Sequence, residues 1–545
     1  MGSRLHVVAV SGPVAAGKST LARQLAERYD GHYISTRDLI VAHAEASGET
    51  PPNERRAFQE YGEVLDRHRG GTWVSEAAAS LVAQQLDARL VIVDGVRTRD
   101  QVEALRVAFS AAVTHVHVHA PEHVLSTRYE ARGSKPGLTE LGSYTEVLKS
   151  AAEVEATTLL ADADVAIDTQ QCSPDDVETR AAAALGLQAP RTERLVDVLV
   201  GGQYGSEGKG NVAFYMASEY DVLVRVGGPN AGHKVPLPTP FTHRLLPSGT
   251  RANESAHLVI GPGATLDLGV LQTEIAQCSV ESGRLTIDPQ AMIIQDRDVA
   301  AEAALVSAIG STGKGGGAAA ARRIIDRHAV NGRPPVELAR DLPELRAYVR
   351  PAADVLDAAY RNSSQVLLEG TQGTALSLYH GHYPYVTSRD TTTAGCLAEA
   401  GIGPHRVRKV VLVCRTYPIR VESPLGETSG PMSQEISYEE VATRSGIPME
   451  ELKSTEKGSV SNKQRRIGEF DWQLLRRAAE LNSATDIALT FTDYLDVKTR
   501  GARRYEQLMP ATIRFIEEVE RVAGIPVSLI TTRFDVRGII DRRRW

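Results

Sequence analysis

The sequence predicts an α/β protein made of two parallel-sheet domains. Apolar runs rich in Val, Ile and Leu alternate with helical patterns along most of the 545 residues, which is the signature of covered parallel strands. Aromatic residues make up only 5%, beside abundant Ala, Val and Gly, a composition that suits strands buried on both faces. Two glycine–lysine loops each follow an apolar run: Gly12-Pro-Val-Ala-Ala-Gly17-Lys18-Ser19-Thr20 and Gly202-Gln-Tyr-Gly205-Ser206-Glu-Gly208-Lys209-Gly210. The length alone also favours more than one domain.

In the N-terminal part the expected strands are Leu5–Val10, Leu90–Val93, Val113–His119 and Val165–Ile167. Helical patterns lie between them at Ser19–Arg28 and Val102–Phe109. Residues 1–170 are therefore expected to form one domain. Residues 171–194, ending in Gly186-Leu-Gln-Ala-Pro190, read as a joint. Residues 195–545 form the second domain, with strands expected at Val196–Val200, Val222–Val226, His257–Ile260, Val366–Glu369, Val410–Val413 and Ile487–Thr490.

The formal net charge of −7 argues against a dedicated nucleic-acid binder. No apolar stretch reaches membrane-spanning length, so no membrane partner is expected. The four cysteines form no C-x-x-C pattern, and the N-terminus runs straight into a strand and a phosphate loop. Both features point to the cytoplasm.

The first loop meets the G-x-x-x-x-G-K-[ST] pattern through Gly12, Gly17, Lys18 and Ser19, with Thr20 following. Its backbone N–H groups would cradle phosphates at a helix start, Lys18 would reach the β/γ-phosphates, and Ser19 would ligate Mg²⁺. Asp94, at the end of Leu90-Val-Ile-Val-Asp94, is placed to orient the metal or its water. Asp38 is a candidate for meeting the acceptor, and Arg128 and Arg132 are candidates for stabilising transferring phosphoryl charge. The loop and Val93-Asp94-Gly95-Val96-Arg97 resemble the nucleoside-monophosphate-kinase group of P-loop proteins, which implies kinase activity in this domain.

The second half carries several further glycine-rich loops in order: Gly227-Gly-Pro-Asn-Ala-Gly-His233, Leu246-Pro-Ser-Gly249, Ile309-Gly-Ser-Thr312-Gly-Lys-Gly315, Glu369-Gly-Thr-Gln372-Gly373 and Tyr383-Pro-Tyr-Val-Thr387-Ser388. Lys463-Gln-Arg465-Arg466-Ile-Gly468 and the run Leu489 to Asp496 follow them. With the second phosphate loop these runs resemble the adenylosuccinate synthetase family in the short form found in archaea and phages. The resemblance implies a ligase that phosphorylates the 6-oxygen of a purine nucleotide from a nucleoside triphosphate and then lets the amine of L-aspartate displace phosphate at C6. It also implies an α/β domain with a mostly parallel central sheet, Mg²⁺, and GTP as donor.

Carried over residue by residue, the resemblance assigns catalysis to His233, Lys209, Ser206 and Gln372. Gly205, Gly208, Lys209, Gly210, Asp493 and Thr531 would hold the donor, with Thr532 nearby. Asn230, Thr312, Gln372 and Thr387 would hold the purine nucleotide. Arg323, or its neighbour Arg322, matches an arginine that a partner subunit offers to that nucleotide's phosphate, which implies a homodimer. Ser461, Lys463 and Arg465 would grip aspartate, and the Gly232 carbonyl and Ser206 would meet Mg²⁺.

Two residues depart from the family pattern. Ser206 stands where the family has an aspartate that takes the N1 proton. A smaller neutral side chain leaves room for a 2-amino group, which favours GMP or dGMP over IMP. This matches the phage type that makes 2-amino-adenylosuccinate. Phe491 replaces a lysine that reads the donor's guanine, so ATP becomes an expected donor beside GTP. The alternative is a nucleotide kinase whose C-terminal half has lost catalysis and senses nucleotides. Ser206 argues for it, and the retained His233, Lys209, Asn230, Gln372 and Arg465 argue against it.

Overall fold

The computed structural model describes residues 5–85, 88–131, 140–141, 143–190, 192–328, 335–457 and 464–545. The chain divides into two compact units, Met1–Gln188 and Ala189–Trp545. Among the described residues no helix is long and apolar enough to cross a membrane.

The first unit is built on a five-stranded parallel sheet in the order His32–Ser35, Leu90–Val96, His6–Ser11, Val113–His119, Val165–Asp168. Its central strand explains the fold. Val7 and Ala9 point to one apolar layer, Val8 and Val10 to the other, and all four are fully buried. Period-two alternation with both faces covered produces the continuous apolar run seen in the sequence. The strand ends beneath the first phosphate loop, and the helix Lys18–Arg28 starts from it. At Gly12, where φ is 137°, a side chain would lie 2.1 Å from the carbonyl of Val118, so glycine is required there.

The division between the two units falls within residues 171–194, and the helical part of that stretch packs with the first unit. The helix Pro174–Ala184, expected in the joint, is capped by Ser173 and Asp176 and buries Val177, Ala181 and Ala182 in the first unit's core. Its Glu178 also pairs with Arg28.

The second unit has a nine-stranded sheet in the order Leu285–Ile287, His257–Ile260, Val222–Arg225, Val366–Glu369, Val196–Gly201, Val407–Arg415, Asp486–Thr490, Val527–Thr531, Ile539–Asp541. All neighbours are parallel except the last pair. The expected strands are present, and Leu285–Ile287, Val527–Thr531 and Ile539–Asp541 extend the sheet at its two edges. Apolar layers cover both faces. The chain first builds outward on one side of Val196–Gly201 and then crosses to the other side. Loops at the carboxyl ends of strands around such a reversal form a crevice, and that is where α/β sheets hold ligands.

Candidate functional site

In the second unit, loops from these strand ends enclose a cavity of about 860 Å³. The phosphate loop forms its floor. Glu207, fully buried, accepts from the backbone N–H of Gln203 (3.0 Å) and Gly205 (2.7 Å) and pairs with Lys209 Nζ at 2.7 Å. Lys209 Nζ also donates to the Gly205 carbonyl. The helix Lys209–Met216 begins here, its N-terminus directed to the loop. At Gly210 a side chain would sit 2.7 Å from the Lys234 carbonyl and 3.0 Å from His233 Cβ, so glycine lets the phosphate loop lie directly against the histidine strand.

His233 is buried and opens the short strand His233–Val235. Its Nδ1 bonds the carboxylate of Glu369, at the end of a central strand. Glu369 Oε1 also accepts from Ser248 Oγ and from Arg225 Nη1 (3.0 Å), and Oε2 accepts from the Ser248 N–H. Burial would raise the Glu369 carboxyl, but Arg225 and His233 outweigh it and bring it down to about 2. Burial first, and then the charge of Arg225, lower His233 to about 4, so the imidazole is neutral at ordinary pH. With Nδ1 committed to Glu369, the other ring nitrogen, Nε2, has no partner among the described residues. His233 lines the cavity.

Ser206, Asn230, Gly232, Thr312, Gln372, Thr387 and Arg465 line the same cavity, together with Gly205, Gly208, Lys209 and Gly210. Gln372 takes a left-handed backbone (φ 62°) and is held from two sides. Its amide donates to Thr387 Oγ1 (3.0 Å), and its carbonyl oxygen accepts from Thr371 Oγ1 and Arg389 Nη1. Ser206 brings no charge to the loop, and its carbonyl accepts from Arg415 Nη1 at 3.1 Å.

Arg415 was not singled out in the sequence. It is a fully buried arginine whose Nη2 donates to Glu456 Oε1 at 2.6 Å and whose guanidinium stacks on Phe491. Glu456 Oε2 in turn lies 3.8 Å from Arg465. Arg420 also lines the cavity, over the ring of Tyr204, with burial lowering its guanidinium to about 10. The only available signal was a basic residue just past an apolar strand, which resembles many ordinary strand ends.

Asp493 and Thr531 line a smaller cavity of about 300 Å³, whose walls Gly208 and Phe491 share with the large one. Asp493 Oδ2 accepts from Arg500 Nε at 2.9 Å, and Oδ1 has no partner among the described residues. Burial pushes this carboxyl up to about 6. Thr531 Oγ1 accepts from the Phe491 N–H, and Thr532 Oγ1 donates to the Gly538 carbonyl.

Neither candidate for the shared arginine reaches the cavity of its own chain. Arg322 is buried against Asp298, and Arg323 donates to the carbonyls of Pro262 and Gln290. Ser461, Lys463 and Arg132 lie outside the described residues.

The first unit has its own cavity of about 500 Å³, lined by Gly17, Lys18, Ser19, Thr20, Asp38 and Asp94. Lys18 Nζ donates to the carbonyls of Gly12 (2.6 Å) and Pro13 (2.8 Å). Asp94 Oδ2 accepts from Tyr33 OH at 2.7 Å, while Oδ1 is buried with no partner among the described residues. Arg128 does not line this cavity, because its guanidinium is tied to Thr169. Arg55, Arg97 and Arg37 supply the positive charge instead.

Residues 198–331 and 336–500 match the family model described as adenylosuccinate synthetase, and residues 8–149 match one described as an AAA domain. The adenylosuccinate synthetase of Methanocaldococcus jannaschii is 36% identical over 356 residues, spanning 64% of this chain and 96% of that protein. Among solved structures, the succinoaminodeoxyadenylate synthetase of cyanophage S-2L, bound to dGMP and dATP as an energy donor, is similar with a TM-score of 0.54 and 28% identity. That match covers 64% of this chain and 96% of that one. The fully ligated adenylosuccinate synthetase of Plasmodium falciparum shares the fold with a TM-score of 0.56 at 20% identity, covering 64% of this chain and all of that one.

Proposed function

The chain belongs to the adenylosuccinate synthetase family through its second unit, and we propose that this unit joins L-aspartate to the C6 position of GMP or dGMP, with a nucleoside triphosphate as phosphoryl donor. The observation that carries the choice of nucleotide is Ser206. It puts a short neutral side chain in the cavity wall where a carboxylate would crowd a 2-amino group. The likeness to the phage enzyme bound to dGMP supports the same choice.

The 6-oxygen of the purine attacks the donor's γ-phosphorus, and the bond to the β–γ bridging oxygen breaks. The amine of aspartate then adds at C6, and inorganic phosphate leaves with the oxygen. Lys209 and the loop N–H groups hold the transferring phosphoryl group. His233, whose Nδ1 donates to Glu369, presents an unprotonated Nε2 to the cavity, where it accepts the N1 proton that the base loses as its 6-oxygen is phosphorylated. Asn230, Thr312, Gln372 and Thr387 hold the nucleotide. Arg465, backed by Glu456, holds a carboxylate of aspartate, with Ser461 and Lys463 beside it. Asp493, Phe491 and Thr531 hold the donor's base, and ATP or GTP serves.

Magnesium fits both units. Asp94 Oδ1 and Ser19 would hold it in the first, and the Gly232 carbonyl and Ser206 hydroxyl in the second, all hard oxygen donors. The metal would neutralise charge on the triphosphate.

The first unit acts as an NTP-dependent kinase through Lys18, Ser19 and Asp94. The second unit works as a homodimer. The helices Asp296–Ile309 and Gly316–Ile325 expose Val299, Leu305, Val306, Ile324 and Ile325, an apolar surface suited to a second copy. Sedimentation at the 58.8 kDa monomer mass at micromolar concentration would count against the dimer.

The deciding experiment incubates the full chain with Mg²⁺, L-aspartate, ATP or GTP, and IMP, GMP or dGMP in turn, with mass spectrometry of the products. The expected result is a succinylated product from GMP or dGMP at a kcat/KM at least tenfold above IMP. Preference for IMP would overturn the nucleotide assignment. No product from any pairing would favour the sensing alternative.

A further inference from the structure

The side-chain amide of Gln372 has two ends alike in shape and opposite in chemistry: the oxygen accepts hydrogen bonds and the nitrogen donates them. The end that faces the cavity decides what the cavity asks of a ligand. The neighbours of the oxygen settle which end that is.

Gln372 Oε1 accepts from Arg389 Nη1 at 3.3 Å and from Thr371 Oγ1 at 3.2 Å. Arg389 Nη1 also donates to Thr371 Oγ1 at 3.0 Å. A hydroxyl has one hydrogen. Because its oxygen already receives from the guanidinium, Thr371 turns that hydrogen to the amide. The three groups close a ring in which the donated hydrogens converge on Gln372 Oε1. Turning the amide over would set its NH₂ against a guanidinium that carries donors only, and both bonds to the oxygen would be lost.

The guanidinium is itself held. Arg389 is 12% exposed, its Nε donates to Glu399 Oε1 at 2.5 Å, and its Nη2 lies 3.7 Å from the Cys396 sulfur. Burial works against its charge, but Glu399 outweighs that and raises the guanidinium above its ordinary value, so it remains a donor. Glu399 Oε2 accepts from the Gly227 N–H at 3.1 Å, at the head of the loop that carries Asn230 and His233. One ion pair thus fixes that loop and the Gln372 side chain together.

At its other end Gln372 Nε2 gives one hydrogen to Thr387 Oγ1 at 3.0 Å, which leaves the second for the cavity that Gln372 lines. The residue also sits directly against the phosphate loop: a side chain at Gly205 would lie 3.0 Å from Gln372 Cα.

We propose that Arg389 is a positioning residue that fixes the Gln372 amide as a donor to the 6-oxygen of the purine, so that the cavity accepts 6-oxo and refuses 6-amino purine nucleotides. This rests on the ligase reading of the second unit. A 6-oxygen meets the free N–H with lone pairs, and the bond strengthens as the base loses its N1 proton and negative charge gathers on that oxygen. A 6-amino group meets the same N–H with hydrogens, so two donors face each other and a buried polar contact goes unmade. The rule also acts on the product. Once the oxygen has left with phosphate, C6 bears an N–H, and the contact that held the substrate no longer exists.

The test uses the full chain with Mg²⁺, L-aspartate and ATP or GTP, and reads initial rates of GMP succinylation by mass spectrometry. The competing ligand is 2-aminoadenosine 5′-monophosphate, which shares the 2-amino group, sugar and phosphate of GMP and differs only along the C6–N1 edge. AMP against IMP repeats the comparison without the 2-amino group. In the parent the inhibition constant of the 6-amino nucleotide should be about thirtyfold or more above the KM of its 6-oxo partner. The double variant Arg389→Met with Glu399→Gln removes the ion pair as a unit, so that no buried carboxylate is left without its cation, and should bring that ratio to about three. Thr371→Val leaves the ion pair in place, takes one donor from the amide oxygen, and should lower the ratio about threefold even where the double variant does not fold. Gln372→Glu puts an acceptor at both ends, one of them still held by Arg389, and the ratio should fall below one. A ratio unchanged within twofold in the folded variants, whatever the change in kcat, would show that Arg389 only supports the fold and would overturn the proposal. A parent ratio near one also overturns it, while the ligase reading stands. No succinylated product from any 6-oxopurine nucleotide overturns both.

Discussion

The guanidinium carbon of Arg415 lies 4.0 Å from the centroid of the Phe491 ring, and the same guanidinium donates to the Ser206 carbonyl and to Glu456. One buried cation therefore joins Phe491, the phosphate loop and the Glu456–Arg465 pair, the groups proposed to hold the donor's base, its phosphates and aspartate. Removing the ring by Phe491→Ala should raise the KM for the donor about tenfold, in line with the roughly 0.5–1.5 kcal/mol of an aromatic contact. The KM for aspartate should stay within twofold, as steady-state kinetics on each substrate would show. Arg415→Met should cost about 3 kcal/mol of stability, read as a lower urea midpoint, because it strips Glu456 of its closest cation.

Glu369→Gln keeps the shape but removes the charge that orients His233 and compensates Arg225. The succinylation kcat should fall by about 10²-fold, the usual scale for a disturbed acid–base group, with nucleotide affinity changed far less. A kcat within threefold of the parent would show that His233 needs no such partner.

Acid should destabilise the fold before it reaches the carboxylates. Burial holds His233 at about 4, and His117 and His243 at about 3. Unfolded imidazoles titrate near 6.5, so the unfolded state binds more protons between that value and the folded one. The stabilisation is complete above pH 6.5 and is lost as pH falls below it. Each group costs about 1.4 kcal/mol per pH unit, or about 2 kcal/mol by pH 5. Glu369, brought down to about 2, adds its own loss only below 4.5. Asp493, raised to about 6, works in the opposite sense between 3.8 and 6, as do the raised carboxyls of Asp66, Glu274 and Glu399, but His257, also held at about 4, joins the three histidines that titrate from 6.5 downward. Urea midpoints at pH 7 and pH 5 would check this, and equal midpoints would refute it.

The two lysines should report on separate chemistries. Lys18→Ala should abolish phosphorylation of monophosphates and leave succinylation within twofold, and Lys209→Ala should do the reverse. Loss of both activities in either variant, with the fold intact by circular dichroism, would mean that the sites are coupled.

Ser206→Asp should restore bulk and charge at the loop. The kcat/KM ratio of GMP to IMP should fall at least tenfold. An unchanged ratio would remove Ser206 as the reader of the 2-amino group.

Much of this was legible in the sequence. Fully buried parallel strands leave continuous apolar runs, so Val7–Val10 and Val196–Val200 announced themselves. Glycine loops marked the ligand-facing ends because only glycine tolerates contacts such as that of Gly210 with Lys234. What stayed hidden depends on tertiary position. That the helix Pro174–Ala184 packs with the first unit is hidden because this Ala-rich helix shows only a small buried face. The edge strand Ile539–Asp541 is three residues long, too short for a periodic signal. Arg225, Arg415 and Arg420 look like strand-end charges until the fold turns them inward.

Glu207 gives the second phosphate loop a further property. Its carboxylate already occupies the lysine and two of the amides that a nucleotide's phosphates would otherwise organise. The loop thus arrives pre-shaped and electrically balanced, with little ordering left for a ligand to impose. An incoming triphosphate gains less from raw attraction than an unpaired lysine would give it. Discrimination then falls to fit, and inorganic anions should compete poorly for the loop even at high salt.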